Sequence, residues 1–211
     1  MILNVNIVNY WCLFGKHNSR TPLQHISEIV FFYCTFVNMS SSGGKSGEEW
    51  KSKIYFDPEA DSSTGKEYAI TDEELKTKMK KLINNENILK VFVYKVSLSE
   101  WQLTRWLFYH AFVVFETDKW WWSIEKNSEG ITIQRSKKED FVKDRYRRKK
   151  RPSSCTLMQE DECEYDLMEL VGWLYQSDQL NKKYNVTTSN CKHFAKELFD
   201  KISKRKLVVL P

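Results

Sequence analysis

The chain holds 211 residues, 41% of them hydrophobic and 14% aromatic, with a formal net charge of +5. That composition supports one domain with a sizeable core and excludes a disordered chain. The five cysteines, an odd number without CxxC spacing, exclude a disulfide scaffold and a cysteine-built zinc site and point to a reducing, cytoplasmic setting.

Residues 1–70 are expected to form a poorly ordered extension and linker. The first 38 show no sustained hydrophobic period and read as dispensable, and Met39 opens a Ser/Gly-rich stretch through Gly44. The apolar run Ile29–Cys34 is too short to cross a bilayer, and residues 1–15 lack the flanks of a signal peptide, so no transmembrane segment is expected.

The domain is expected over residues 71–211. Thr71-Asp72-Glu73-Glu74 is a capping box, and Leu75, Met79, Leu82 and Ile83 follow at helical spacing. Residues 88–96, rich in β-branched and aromatic side chains, read as a strand. Ser99 with Gln102 makes a second capping box and opens a short helix to about Phe108. Three strands follow, His110–Thr117, Trp120–Lys126 and Ile131–Ser136, joined by a tight turn at Asp118-Lys119 and a looser one at Asn127–Gly130. The charged segment 137–151 reads as helical at its start and broken at Pro152. It carries the basic run Arg145, Arg147, Arg148, Lys149, Lys150 and Arg151, either a solvated linker or a contact to phosphate or an anionic surface. Residues 161–180 carry a helical stripe, and a last helix starts near Asn190. The fold class is α+β, an antiparallel β-meander packed against helices.

In that last helix Phe194, Ala195, Leu198, Phe199 and Ile202 form one apolar stripe, and Cys191 points to the same side. Asn190 suits the N-cap, which puts Cys191 in the first turn. There the helix dipole and free N–H groups favour a thiolate, and those N–H groups can hold an oxyanion. The alternative is a cysteine that only packs. His193 is two residues on and projects to the opposite side, so a base must come from elsewhere. His110 opens an apolar strand, as a base or as a core histidine. If Asp118-Lys119 is a two-residue turn, His110 lies across from Asn127 and diagonal to Glu125 on one sheet face, and either can orient the imidazole. Trp120, Trp121 and Trp122 either wall an apolar substrate groove or pack in core and edge.

His110-Ala111-Phe112-Val113-Val114-Phe115 before a hairpin, followed by Tyr184-Asn185 and then Asn190-Cys191-Lys192-His193-Phe194-Ala195, resembles circularly permuted papain-like thiol enzymes. The pattern is similar to lecithin:retinol acyltransferase-like proteins of the NlpC/P60 superfamily, whose motif reads Asn-Cys-Glu-His-Phe; Lys192 stands here in place of the Glu. Permuted PPPDE-type thiol peptidases, which act on ubiquitin-like conjugates, share a similar motif. The resemblance covers about residues 88–205. It implies a circularly permuted papain-like fold with Cys191 as nucleophile and His110 as base, 81 residues apart. Asn190, Lys192 and His193 would stand around the thiol. The second histidine frequent in the acyltransferase-like family is missing, and Glu125 fills the third role. The activity implied is that of a hydrolase, thiol protease or acyltransferase acting through an acyl-enzyme on an ester or amide, with no cofactor or metal. The rival reading is an inactive interaction module binding an acidic partner or surface through the 145–151 run.

Overall fold

In the computed structural model the described residues are 54–84, 86–97, 109–185 and 188–205. Expectations for residues 1–53, and for the helix opened by Ser99, lie outside them. In chain order the elements are β1 (Ile54–Asp57), β2 (Tyr68–Ile70), α1 (Asp72–Leu82), β3 (Asn87–Ser97), β4 (Tyr109–Thr117), β5 (Trp121–Asn127), β6 (Gly130–Ser136), α2 (Glu139–Lys143), β7 (Arg145–Tyr146), β8 (Lys149–Lys150), β9 (Thr156–Asp166), α3 (Leu167–Gln176) and α4 (Cys191–Ile202).

Seven strands make one sheet in the order β2-β1-β6-β5-β4-β3-β9. All neighbours are antiparallel except β1 and β6, which run parallel. The α+β class and the β4-β5-β6 meander are as the sequence suggests. One face of the sheet carries the main core, where Leu75 and Met79 of α1, Leu170 and Leu174 of α3 and Phe194, Leu198 and Phe199 of α4 meet strand residues such as Val93, Val113 and Ile133. A smaller cluster of Tyr94, Val96, Phe112, Val114 and Val142 lies on the other face, under α2.

The local signals act as their chemistry requires. Thr71 Oγ1 accepts from the Glu74 amide at 3.3 Å, and the Glu74 carboxylate accepts from the Thr71 amide at 2.9 Å, closing the capping box of α1. The β4–β5 turn has two residues: the Thr117 amide donates to the Trp120 carbonyl at 2.9 Å. This fixes the register at Val113 opposite Ile124 and Glu116 opposite Trp121.

Three expectations are corrected. Order begins before residue 71, because β1 and β2 belong to the sheet. Ile54 and Phe56 are buried in the core and Asp57 is fully buried. Strands this short carry almost no periodicity, so the pairing of β1 with β6 and of β2 with β1 comes from tertiary burial. Residues 156–166 are a strand, where the sequence reads the span from Asp161 onward as helix; Asp166 caps α3 instead, accepting from the Glu169 amide at 2.9 Å. β9 is an edge strand thick with Glu and Asp, a composition that deters further strand addition but hides the strand from a propensity reading.

The third correction concerns the basic run. α2 is a single short helix, and the chain then turns into the β7–β8 hairpin, with Arg147 and Arg148 at left-handed φ of 47° and 66°. Two central residues with positive φ match the twist of a tight hairpin but cost bulky residues energy, so tertiary contacts must hold them. Arg148 donates to both Asp57 carboxylate oxygens, from Nε at 2.8 Å and Nη2 at 2.9 Å. Arg147 reaches Glu129 at 2.7 Å, and its amide donates to Gln134 Oε1 at 2.6 Å. Arg145 lies 3.9 Å from the Phe141 ring centroid. Lys149 and Lys150 are exposed. The run is therefore spent largely on internal pairing. Arg148→Met, which strands a buried carboxylate, should cost about 2–3 kcal/mol. Lys149→Met should stay within about 0.5 kcal/mol of the parent in the same urea melts.

Candidate active site

The site forms where α4 begins against the opening of β4. Asn190 caps the helix: its Oδ1 accepts from the amides of Lys192 at 2.9 Å and His193 at 3.1 Å. The His193 ring Nδ1 lies 2.8 Å from the same oxygen, and His193 is exposed, pointing away from the core as its spacing predicts. Cys191, one residue into the helix, is 6% exposed. The paired ladder between β4 and β5 starts at Val113, so the stretch of β4 before it stands apart from β5. The Ala111 amide there and the His110 ring are set against the Cys191 sulfur and favour its charged form.

His110 Nε2 lies 2.7 Å from Glu125 Oε2, the diagonal pair that the two-residue turn implies. This leaves Nδ1 as the nitrogen for the sulfur. Glu125 is 1% exposed. Arg151 clasps its far side, with Nη2 at 2.7 Å from Oε1 and Nη1 at 3.2 Å from Oε2. Arg151 is itself fixed by a 2.8 Å bond from Nε to the Lys143 carbonyl and by the Phe112 ring, 3.9 Å from centroid to guanidinium carbon. The sequence placed Arg151 in a surface cluster; the structure places it behind the imidazole. Asn127, the other candidate to orient His110, instead turns its Oδ1 to the amides of Glu129 at 2.8 Å and Gly130 at 3.1 Å.

The electrostatics follow from this alternation. Burial by itself raises the Cys191 thiol, but the contacts with His110, the Ala111 amide and the Tyr184 hydroxyl outweigh it and bring the thiol below its ordinary value. Burial pulls His110 down, but Cys191 and Glu125 push it up to about 9. Burial pulls Glu125 up, but Arg151 and His110 hold it at about 2. Each member of the pair thus favours the charged form of the other, thiolate beside imidazolium. The other two described cysteines go the opposite way: burial is the largest influence on each, leaving Cys155 at about 11 and Cys163 at about 12.

Tyr184 is the member that sequence reasoning passed over except as part of the motif. Its hydroxyl contacts both the thiol and the backbone amide of Cys191, and burial followed by the thiolate charge raises its own pKa. The amides of Lys192 and His193 are taken by the cap and that of Phe194 by the Asn190 carbonyl, so the first turn does not offer them to an oxyanion. The Tyr184 hydroxyl and the Ala111 amide are the groups beside the sulfur instead. A signal for it was present: an aromatic residue seven before the cysteine, at the end of a polar loop. Lys126, buried at the end of β5, donates from Nζ to the Gln179 carbonyl at 3.4 Å and to the Lys182 carbonyl, and so ties down the chain that delivers Tyr184.

The three tryptophans do not form one wall. Consecutive strand residues face opposite ways. Trp122 is fully buried in the main core, with Nε1 donating to Glu86 Oε1 at 2.7 Å, and Trp121 packs toward the smaller cluster beside Phe92. Trp120 is half-buried under Lys137 and Arg135, at 3.5 and 4.1 Å from its ring centroid. The groove expectation is replaced by packing. Lys192 stands with its Nζ 4.0 Å from the Tyr109 ring centroid.

No family model matches the chain, nor does any curated protein or solved structure. Among the described residues no cluster suited to a metal ion occurs, and no helix is long and apolar enough to cross a membrane.

Two outcomes test the geometry. With iodoacetamide at neutral pH, peptide mapping should find Cys191 alkylated well before Cys155 and Cys163. Its rate should titrate below the free-thiol value of about 8.5 in the parent and move upward in His110→Ala. The buried Glu125–Arg151 pair predicts a second asymmetry in urea melts. Arg151→Met alone should cost about 3 kcal/mol or more, while Arg151→Met with Glu125→Gln should recover part of that loss.

Proposed function

We propose that the chain is a cysteine-nucleophile enzyme, a thiol hydrolase or acyltransferase working through an acyl-enzyme. The observation that carries this reading is the continuous chain Cys191–His110–Glu125–Arg151, in which a helix-start thiol meets an imidazole whose other nitrogen is held by a buried carboxylate. The resemblance of the Asn190–Phe194 segment to permuted papain-like thiol enzymes of the NlpC/P60 and PPPDE kinds supports the same reading, as does His110 preceding Cys191 along the chain.

The chemistry runs through groups already in contact. The Cys191 thiolate attacks the carbonyl carbon of an ester or amide. Charge gathers on the carbonyl oxygen, with the Tyr184 hydroxyl as its donor. The tetrahedral adduct collapses by breaking the bond to the leaving group, which takes a proton from the His110 imidazolium. That leaves a thioester on Cys191 and a neutral imidazole. His110 then removes a proton from water or from a second substrate, which attacks the thioester and releases the thiolate. Glu125 touches neither sulfur nor substrate; it positions the ring and stabilises its charged form, and Arg151 keeps Glu125 ionised.

The alternative, an interaction module using residues 145–151, loses its main support because Arg147, Arg148 and Arg151 are each bound to a carboxylate of the same chain.

An activated ester, p-nitrophenyl acetate, provides the test. The parent should acquire an acetyl group on the Cys191 peptide and release nitrophenolate. His110→Ala should slow both by about 100-fold or more, and Glu125→Gln should slow them less while shifting the alkaline limb of the pH profile downward from about 9. Acetylation of Cys191 at an undiminished rate in His110→Ala would end the proposal.

A further inference from the structure

The thiol has a second set of neighbours that the reaction above does not use. Lys95, on β3, lies opposite Ala111, whose amide meets the Cys191 sulfur. Lys192 follows Cys191 directly. The two ammonium groups come from separate elements and converge on one ring, with Nζ of Lys95 5.4 Å and Nζ of Lys192 4.0 Å from the centroid of Tyr109. Tyr109 is 4% exposed, so the ring is a fixed floor, while both lysines are half-buried and reach solvent.

These groups lie in one another's field. Burial lowers Lys192, the Cys191 thiolate raises it and the charge on Lys95 lowers it further. Burial and then Cys191 raise Tyr109. Two like charges held near one apolar ring repel one another, and an anion seated between them turns that repulsion into attraction on both sides. Lysine suits a compact anion, since its ammonium is a rotatable point charge rather than a planar fork. The position after the nucleophile, which is acidic in the motif that this segment resembles, is here cationic.

We infer that Lys95 and Lys192, over the Tyr109 ring, form an anion-recognition subsite beside Cys191, so that the substrate carries a carboxylate or a phosphate close to its scissile carbonyl. The inference rests on Cys191 being the reactive thiol. The subsite contributes binding and register: it holds the anionic end so that the carbonyl carbon comes to the sulfur.

Two alkylating reagents of nearly equal shape provide the probe, iodoacetate with a carboxylate and iodoacetamide without one. The rate of each at the Cys191 peptide is measured in the full-length parent, in Lys95→Met, in Lys192→Met and in the double variant. The ratio of the two rates at one pH cancels the fraction of thiolate. His110 also attracts the anionic reagent, so the decisive comparison is between parent and variants. The iodoacetate-to-iodoacetamide ratio should fall about threefold in each single variant and about tenfold in the double. It should be retained in Lys95→Arg with Lys192→Arg, which keep the charges. A ratio that changes less than about twofold in a folded double variant overturns the subsite. If the double variant does not fold, the same limit applies to Lys192→Gln, where the half-exposed side chain is only shortened.

Failure of the thiol reading itself looks different: iodoacetamide alone would then titrate at the free-thiol value in the parent. Acetate and inorganic phosphate, each tested for protection of Cys191 against iodoacetamide, distinguish the two anions. Stronger protection by acetate assigns a carboxylate substrate and stronger protection by phosphate a phosphate ester. In both cases protection should vanish in the double variant, and protection that persists there overturns the subsite.

Discussion

The Glu125 carboxylate, closed off from solvent between the His110 imidazole and the Arg151 guanidinium, is the interaction around which the site is built. An isolated carboxylate at that depth would take up a proton. Arg151 prevents this, and the resulting fixed negative charge makes the imidazolium the favoured form of His110, which in turn favours the thiolate of Cys191. The sequence of charges from guanidinium to sulfur alternates in sign, so each member lowers the cost of burying the next. The sheet serves this arrangement by its register. With Val113 opposite Ile124, Glu125 and His110 share a face, and a slip by one residue would turn the carboxylate into the main core.

The parts of this that could be read in the sequence were those governed by local chemistry. The capping box at Thr71, the N-cap at Asn190 and the two-residue turn at Asp118-Lys119 are short-range devices whose residues announce them. The turn in particular carries the diagonal between His110 and Glu125 into the sequence reading, because antiparallel register follows from turn length alone. The parts that could not be read depend on partners far away in the chain. Arg151 looks like one more cation in a basic run, and only the folding of the β7–β8 segment brings it behind Glu125. Tyr184 sits in a polar loop whose course is set by Lys126. β1 is four residues long, and its strand character comes from lying beside β6.

The same distinction explains the basic run. Charge density along a sequence measures what a segment can pair with, and it does not say whether the pairing is internal. Asp57 and Glu125 are both buried, one from an early strand and one from the centre of the sheet, and each takes an arginine from a single seven-residue stretch. The β7–β8 segment thus ties together two strands far apart in the chain, β1 and β5, which β6 separates in the sheet, and the left-handed backbone at Arg147 and Arg148 is held by their bonds to Gln134, Glu129 and Asp57.

The order of the elements along the chain has a kinetic corollary. His110, Glu125 and Arg151 belong to the sheet and its hairpin, whereas the sulfur arrives on the last of the described helices, 81 residues after its imidazole. Closing so long a loop is entropically slow relative to forming the meander. Before the last helix docks, His110 has Glu125 beside it but lacks the Cys191 sulfur, the first of the contacts that raise its pKa, and the cysteine lacks the contacts that bring its thiol down. The altered acidity of both groups therefore depends on docking of the final helix.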